Sequence, residues 1–292
     1  MTKKTAKTRS LLIGLLLIIG IISHAHANDR AEAIKLLNAG KNEQAFVLMK
    51  KAAQNGDAKA QEHVGSYYGI GIGTPKNPEE SFKWFLKAAK QGRPASQYMI
   101  GAFYEEGDVV AKDPKEALRW TKQAAENGDP EGQLKLGIYY NRGYGGLPKD
   151  EKLAFYWFLK SAENGSEAGQ FYTGRAYEKG ISIPVNGKEA EKWYKKAIAQ
   201  GNMDAAHNLA LMYLIGEIVP KDPREGMLLI MNSANKGHVP SITLLAYYYE
   251  QGLYVKKDLE KARRLYNYAA SQGDHQAAER LDNLFPTPRA FP

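Results

Sequence analysis

The chain has 292 residues, 43% of them hydrophobic and 25% charged, with 40 Lys and Arg against 32 Asp and Glu. It contains no cysteine, which excludes disulfides, thiolate metal sites and lipid attachment through an N-terminal cysteine. The formal charge of +8 is of ordinary solubility size and does not make a nucleic-acid footprint, which needs Lys and Arg clustered on one face.

At the N-terminus, Lys3, Lys4, Lys7 and Arg9 precede an apolar stretch from Leu11 to Ile22, and Ala25-His26-Ala27 offers an A-x-A cleavage site. The stretch is shorter than the roughly 20 residues of a comfortable membrane span. This pattern predicts a cleaved export signal over 1–27, a mature chain starting at Asn28, and a periplasmic or secreted protein that does not span a membrane. Cleavage removes four basic residues and no acidic one, leaving a net charge of +4.

From Asn28 onward the chain repeats itself. A closing glycine recurs at Gly56, Gly92, Gly128, Gly165, Gly201, Gly237 and Gly273, at steps of 36 residues with one step of 37. The spacing predicts an N-terminal capping half-repeat over 28–56 and six full repeats at 57–92, 93–128, 129–165, 166–201, 202–237 and 238–273. A C-terminal capping helix over 274–285 and a tail over 286–292 follow. Within each repeat, apolar and small residues at helical spacing predict a first helix, as in Ser96, Ile100, Gly101, Phe103 and Tyr104. Gly71, Gly107, Gly143, Gly180, Gly216 and Gly252 then stand where a left-handed C-cap is expected. A second helix is announced by Asn77, Asp113, Asp150, Asn186, Asp222 and Asp258 at the N-cap, with Pro78, Pro114 and Pro223 at the next position. The extra residue of the 37-residue step falls in the loop "RGYGGLPKD", outside the stacked core.

All four tryptophans occupy one place in the second helix, Trp84, Trp120, Trp157 and Trp193, where other repeats carry Leu48, Leu229 and Leu265. A position that accepts Trp or Leu requires apolar volume. The phrases "LKLGIYYNRG" from Leu134 and "DPKEALRWTKQAAENG" from Asp113 resemble the Sel-one-like repeat (SLR) family, relatives of tetratricopeptide arrays. That resemblance covers about 57–285 and implies an all-α fold, a right-handed α/α superhelical solenoid of helix-turn-helix repeats. It also implies a protein-binding scaffold or adaptor of the bacterial cell envelope or outside the cell, not an enzyme, whose partner is another protein or an extended peptide.

No catalytic, cofactor or metal motif emerges. His63, His207, His238 and His275 have no i, i+4 pairing, and no G-x-S-x-G elbow or calcium loop is present. The glycines at Gly69, Gly71 and Gly73 follow a helix and not a strand, so they cannot cradle a dinucleotide. Ser233-Ala234-Asn235-Lys236 matches S-x-x-K, the nucleophile motif of penicillin-recognising enzymes, but it lacks the companion motifs and aligns with small packing residues. β-Lactam binding or hydrolysis, and binding of a glycan or peptidoglycan fragment, are therefore the alternatives to protein binding.

Tyrosines such as Tyr68 and Tyr104 recur in every repeat and serve stacking, so a ligand surface should lie where repeats differ. Counted from the closing glycine, the sixth, tenth and thirteenth residues of the first helix vary and share one helical face. By similarity to tetratricopeptide arrays this face lines the concave side. The candidates it offers are Tyr98, Leu134, Phe171 and His207 at the sixth position, Ile138, Arg175, Leu211 and Tyr247 at the tenth, and Glu105, Asn141, Glu178 and Leu214 at the thirteenth. Apolar anchors beside charges suit protein recognition. If the array curves tightly, the same residues are core.

Overall fold

The computed structural model describes residues 28–285. The expected signal at 1–27 and tail at 286–292 lie outside the described residues. Among those described, all regular secondary structure is helical, and the chain divides into two compact units at Asp150 and Glu151. Unit 1 holds α1 (28–38), α2 (Asn42–Gln54), α3 (Ala58–Ile70), α4 (Pro78–Lys90), α5 (Pro94–Glu106), α6 (Pro114–Glu126) and α7 (Pro130–Arg142). Unit 2 holds α8 (Glu151–Glu163), α9 (Glu167–Lys179), α10 (Gly187–Ala199), α11 (Met203–Ile215), α12 (Pro223–Asn235), α13 (Val239–Gln251), α14 (Leu259–Ser271) and α15 (His275–Leu284). The fold class is all-α, built of helix-turn-helix repeats of the solenoid type. Helices α2 to α14 are each 13 residues long, so every helix presents about 20 Å of surface to its neighbours.

The helix ends follow from the signals in the sequence. Asn77, Asp113, Asn186, Asp222 and Asp258 each accept a backbone N–H from the first turn of α4, α6, α10, α12 and α14. Each first helix ends on a glycine in the left-handed region, from Gly180 at φ 68° to Gly107 at φ 85°. A second set of caps is less legible: Asp57, Asp129, Ser166, Asn202 and Asp274 cap the starts of α3, α7, α9, α11 and α15 in the same way. Together these bonds satisfy N–H groups that a helix start leaves unpaired, each worth about 1 kcal/mol.

In unit 1, Ala33, Phe46, Met49, Val64, Tyr67 and Trp84 share one core cluster. In unit 2, Tyr194, Leu209, Met212 and Tyr213 form one, and Leu214, Ile230, Leu245, Tyr248 and Tyr266 another. Trp84, Trp120 and Trp193 are 5–6% exposed, and the indole N–H of Trp84 and Trp193 has no hydrogen-bond partner. Their rings are covered by cations, Lys87 at 3.8 Å, Arg119 at 4.4 Å and Lys196 at 4.0 Å from the centroids. The position is used for its volume.

A buried amide series adds specificity. Gln61, Gln97, Gln133 and Gln170, at the fifth position of successive repeats, each donate to the carbonyl of an alanine eight residues earlier. Gln91, Asn127 and Gln200 then donate to the side-chain oxygens of Gln61, Gln97 and Gln170. Each of these pairs spans 30 residues of sequence and ties the start of a repeat to its end.

Candidate functional site

The thirteenth position varies for a reason internal to the fold. In three repeats of unit 2 the thirteenth residue packs beside the residue seven places before the next closing glycine. Where that residue is Tyr194, the thirteenth is Glu178, and the phenol donates to its carboxylate at 2.5 Å. Where it is Tyr266, the thirteenth is Glu250, bonded at 2.7 Å. Where it is Ile230, the thirteenth is Leu214, in the same apolar cluster. Gly226 makes room there, since a Cβ at that glycine would sit 2.8 Å from Leu214 Cγ. Thr121 is too short for this role, and Tyr139 from α7 reaches Glu105 instead at 3.0 Å, with Lys135 Nζ at 2.7 Å. Burial first, then the adjacent Glu178, pushes the Tyr194 phenol far above the ordinary tyrosine range.

These contacts redraw the sequence-derived surface. Glu105 and Glu178 are acceptors for buried phenols, not a free charged rim. Leu134 and Leu214 are only 9% and 4% exposed, so both are core and present no side chain to a ligand. Phe171 is half-buried against Tyr172 and Tyr194, at 5.4 and 6.1 Å between ring centroids. Tyr98 and Ile138 are half-buried in unit 1, and Asn141 and Arg175 are exposed. Burial, followed by the carboxylates of Glu131 and Asp129, raises the Tyr98 phenol.

Three candidates do converge. His207 and Leu211 of α11 and Tyr247 of α13 line a cleft of about 770 Å³ in unit 2, whose other wall is α15 with His275, Glu279 and Arg280. The apolar floor of Leu211, Leu244 and Tyr247 is bordered by charges of both signs. Arg280 is fixed from two sides: it donates to Glu250 Oε1 at 3.1 Å, and its guanidinium lies 5.4 Å from the Tyr247 ring centroid. That cation occupies the ring face a stacked sugar would need. Thr243 donates to Asp274 at 2.7 Å, tying α13 to the start of α15.

The cleft's upper edge holds a polar cluster that sequence reading did not assemble. Ser241 Oγ lies 3.1 Å from His207 Nδ1 and 2.9 Å from His238 Nδ1, and His238 Nε2 is 3.1 Å from Asp204. The arrangement has the members of a hydrolytic triad, but Ser241 is fully buried and cannot meet a substrate. Ser233, the S-x-x-K serine, is 1% exposed and donates to the Leu229 carbonyl at 2.8 Å, so it is also a packing residue. Among the described residues, no group of His, Asp and Glu is placed to hold a metal ion, and no helix is long and apolar enough to cross a membrane.

The Sel1 repeat family pattern matches residues 41–57, 58–92, 94–129, 130–166, 168–202, 204–238 and 239–274. The chain is 37% identical over 105 residues to Chitin synthase regulator SKT5 of Saccharomyces cerevisiae, a match covering 34% of this chain and 15% of that protein. It is 31% identical over 101 residues to Chitin synthase regulatory factor 2 of Schizosaccharomyces pombe, covering 34% and 20%. The chain thus spans a fifth or less of the length of these curated relatives. Among solved structures it is similar to a protective antigen of uropathogenic Escherichia coli with an SLR fold, at 30% identity and TM-score 0.77, covering 90% of this chain and 57% of that one. A Sel1 repeat protein from Oxalobacter formigenes gives 29% identity and TM-score 0.73, covering 82% and 96%. The curated relatives correct one expectation: they are fungal regulators of chitin synthase, which overturns the reading of this chain as periplasmic or secreted. This chain belongs to the Sel1 repeat family, a repeat scaffold of the kind that mediates protein–protein interaction.

Proposed function

We propose that this Sel1 repeat chain acts by binding and not by catalysis, and that the α11–α13–α15 cleft holds an extended segment of a partner protein. The observation that carries this reading is the convergence of His207, Leu211 and Tyr247, three residues that differ from their counterparts in other repeats, on one cleft. A partner's apolar side chain would sit on Leu211, Leu244 and Tyr247. Its backbone and polar groups would face His275 and Glu279, which have freedom to adjust on the exposed side of α15. The names of the fungal relatives, regulators of an enzyme, support a role exerted through another protein.

The test places a photo-crosslinking amino acid at position 211 or 247 of the full chain, with position 156 in α8 as an exposed control. Crosslinking in cells should give one shared dominant adduct from 211 and 247 that is absent from 156. Identical adducts from all three positions, or none from the cleft, would refute the assignment.

A further inference from the structure

The last two repeats break two rules that most of the earlier ones keep. At the tryptophan position they carry Leu229 and Leu265. The smaller Leu265 side chain borders a cleft of about 530 Å³ between α12 and α14, lined also by Met231, Leu245 and Tyr249. Beside it lies a second cleft of about 500 Å³, lined by Met227, Leu228 and Tyr254, with Met231 common to both. Leu228, Tyr254 and Tyr268 are about half exposed around them.

The second broken rule is electrostatic. In three earlier repeats a glutamate in the first turn of the second helix neutralises the base three residues on: Glu80 with Lys83 at 2.7 Å, Glu116 with Arg119 at 2.7 Å, and Glu189 with Lys192 at 3.0 Å. In α14 the glutamate is replaced by Lys261, so Arg264 faces a like charge. Lys261 donates to Tyr249 Oη at 2.7 Å and lies over its ring. Arg224 and Arg264 enter no ion pair among the described residues. No carboxylate lines either cleft; Glu225 and Glu260 lie in the first turns of α12 and α14, outside the lining.

Tyr254 gives a third, independent sign. It sits in the left-handed region at φ 60°, in register with Gly73 at φ 65°, Gly145 at φ 67° and Ser182 at φ 60°. Of these it alone puts a bulky side chain in that region, which is unfavourable for folding, and such strain gathers at sites of function.

We infer that this face of α12 and α14 is a second docking surface, for an acidic partner segment bearing bulky apolar side chains. Methionines and leucines give the clefts adaptable apolar walls. The uncompensated Arg224, Lys261 and Arg264 would attract carboxylates flanking the inserted side chains and reject basic segments. This surface is distinct from the α11–α13–α15 cleft, and neither reading depends on the other.

A phage-displayed library of random 16-residue peptides, selected on the full chain and counter-selected on a Leu228→Asp/Arg264→Glu variant, tests the inference. Enriched peptides should combine Asp or Glu with Leu, Phe or Trp. Measured by fluorescence polarisation, their affinity should fall at least tenfold in Arg264→Glu and in Leu228→Asp, and stay unchanged in Tyr247→Ala. Both altered side chains are exposed, and circular dichroism of each variant should match that of the parent chain. Enriched peptides without an acidic excess, or binding indifferent to Arg264→Glu, overturn the inference. So does a dimer seen by light scattering that Leu228→Asp dissociates, because the occupant is then a second copy of the chain.

Discussion

If the thirteenth position is chosen by its partner in the next helix, then Tyr194→Phe and Glu178→Leu should be costly separately and tolerated together. Tyr194 is fully buried, and its phenol donates to Glu178 at 2.5 Å while accepting from Asn208 Nδ2 at 3.2 Å. Removing the hydroxyl deletes a charge-assisted hydrogen bond, worth roughly 1.5–3 kcal/mol. Glu178 keeps Lys179 at 2.6 Å, which places the loss for Tyr194→Phe near the lower end, about 1.5–2 kcal/mol. Glu178→Leu alone leaves a buried O–H donor with no acceptor, a cost of about 1–3 kcal/mol partly offset by added apolar burial.

The double variant recreates what the chain already contains one repeat later, Leu214 beside Ile230 in a common apolar cluster. Its cost should be about 1 kcal/mol or less, giving a coupling of at least about 1.5 kcal/mol between the two sites. Repeat arrays need not unfold in one step, so the suitable assay is native-state hydrogen exchange of the α9 and α10 amides, with urea denaturation alongside. Costs that add in the double variant would refute the claim that the two positions are matched.

Other expectations follow from the same contacts. His207 is held below its ordinary value first by burial and then by His238, and burial does the same to His63. A depressed histidine binds protons more readily when unfolded, so its stabilisation is complete above about pH 6.5 and is lost as pH falls through the folded value. The thermal midpoint should therefore drop between pH 7.5 and 5.5, and His207→Gln should flatten that drop. Trp84→Leu should cost about 1–2 kcal/mol and Trp84→Ala about 3–5 kcal/mol by chemical denaturation, since the site needs volume without an N–H acceptor. Gly73→Ala should exceed about 2 kcal/mol, because its Cβ would lie 2.1 Å from the Asn42 carbonyl oxygen. Gly56→Ala, with open space around the same atom, should cost about 1 kcal/mol.

The repeat period, the left-handed glycines and the caps at Asn77 or Asp113 are legible in sequence because each depends on a residue type at a fixed local offset. The glutamines at 61, 97, 133 and 170 were equally periodic, but a polar residue on a helix reads as surface until its acceptor is known. Their acceptors are alanine carbonyls of the preceding helix. Glu105, Glu178, Leu134 and Leu214 misled for a related reason. Helical spacing reports which residues share a face, not how closely the next helix covers it. His207, Leu211 and Tyr247 share a cleft because α15 forms a wall opposite them.

Variation between repeats is therefore not by itself a mark of a ligand surface. Glu178 and Glu250 occur with Tyr194 and Tyr266, and Leu214 with Gly226 and Ile230, so these differences cancel within the core. A residue serves recognition when it departs from its counterparts and no neighbour departs with it. Leu211 and Tyr247 meet that test on the α11–α13–α15 cleft. Leu228, Lys261 and Tyr254 meet it on α12, α14 and the preceding loop, where the lost glutamate leaves Arg264 uncompensated and Leu265 leaves space unfilled. Both surfaces lie in unit 2, beyond the last tryptophan at Trp193. The packing rules of the earlier repeats leave little freedom for recognition, and it is the relaxed repeats that can acquire partners.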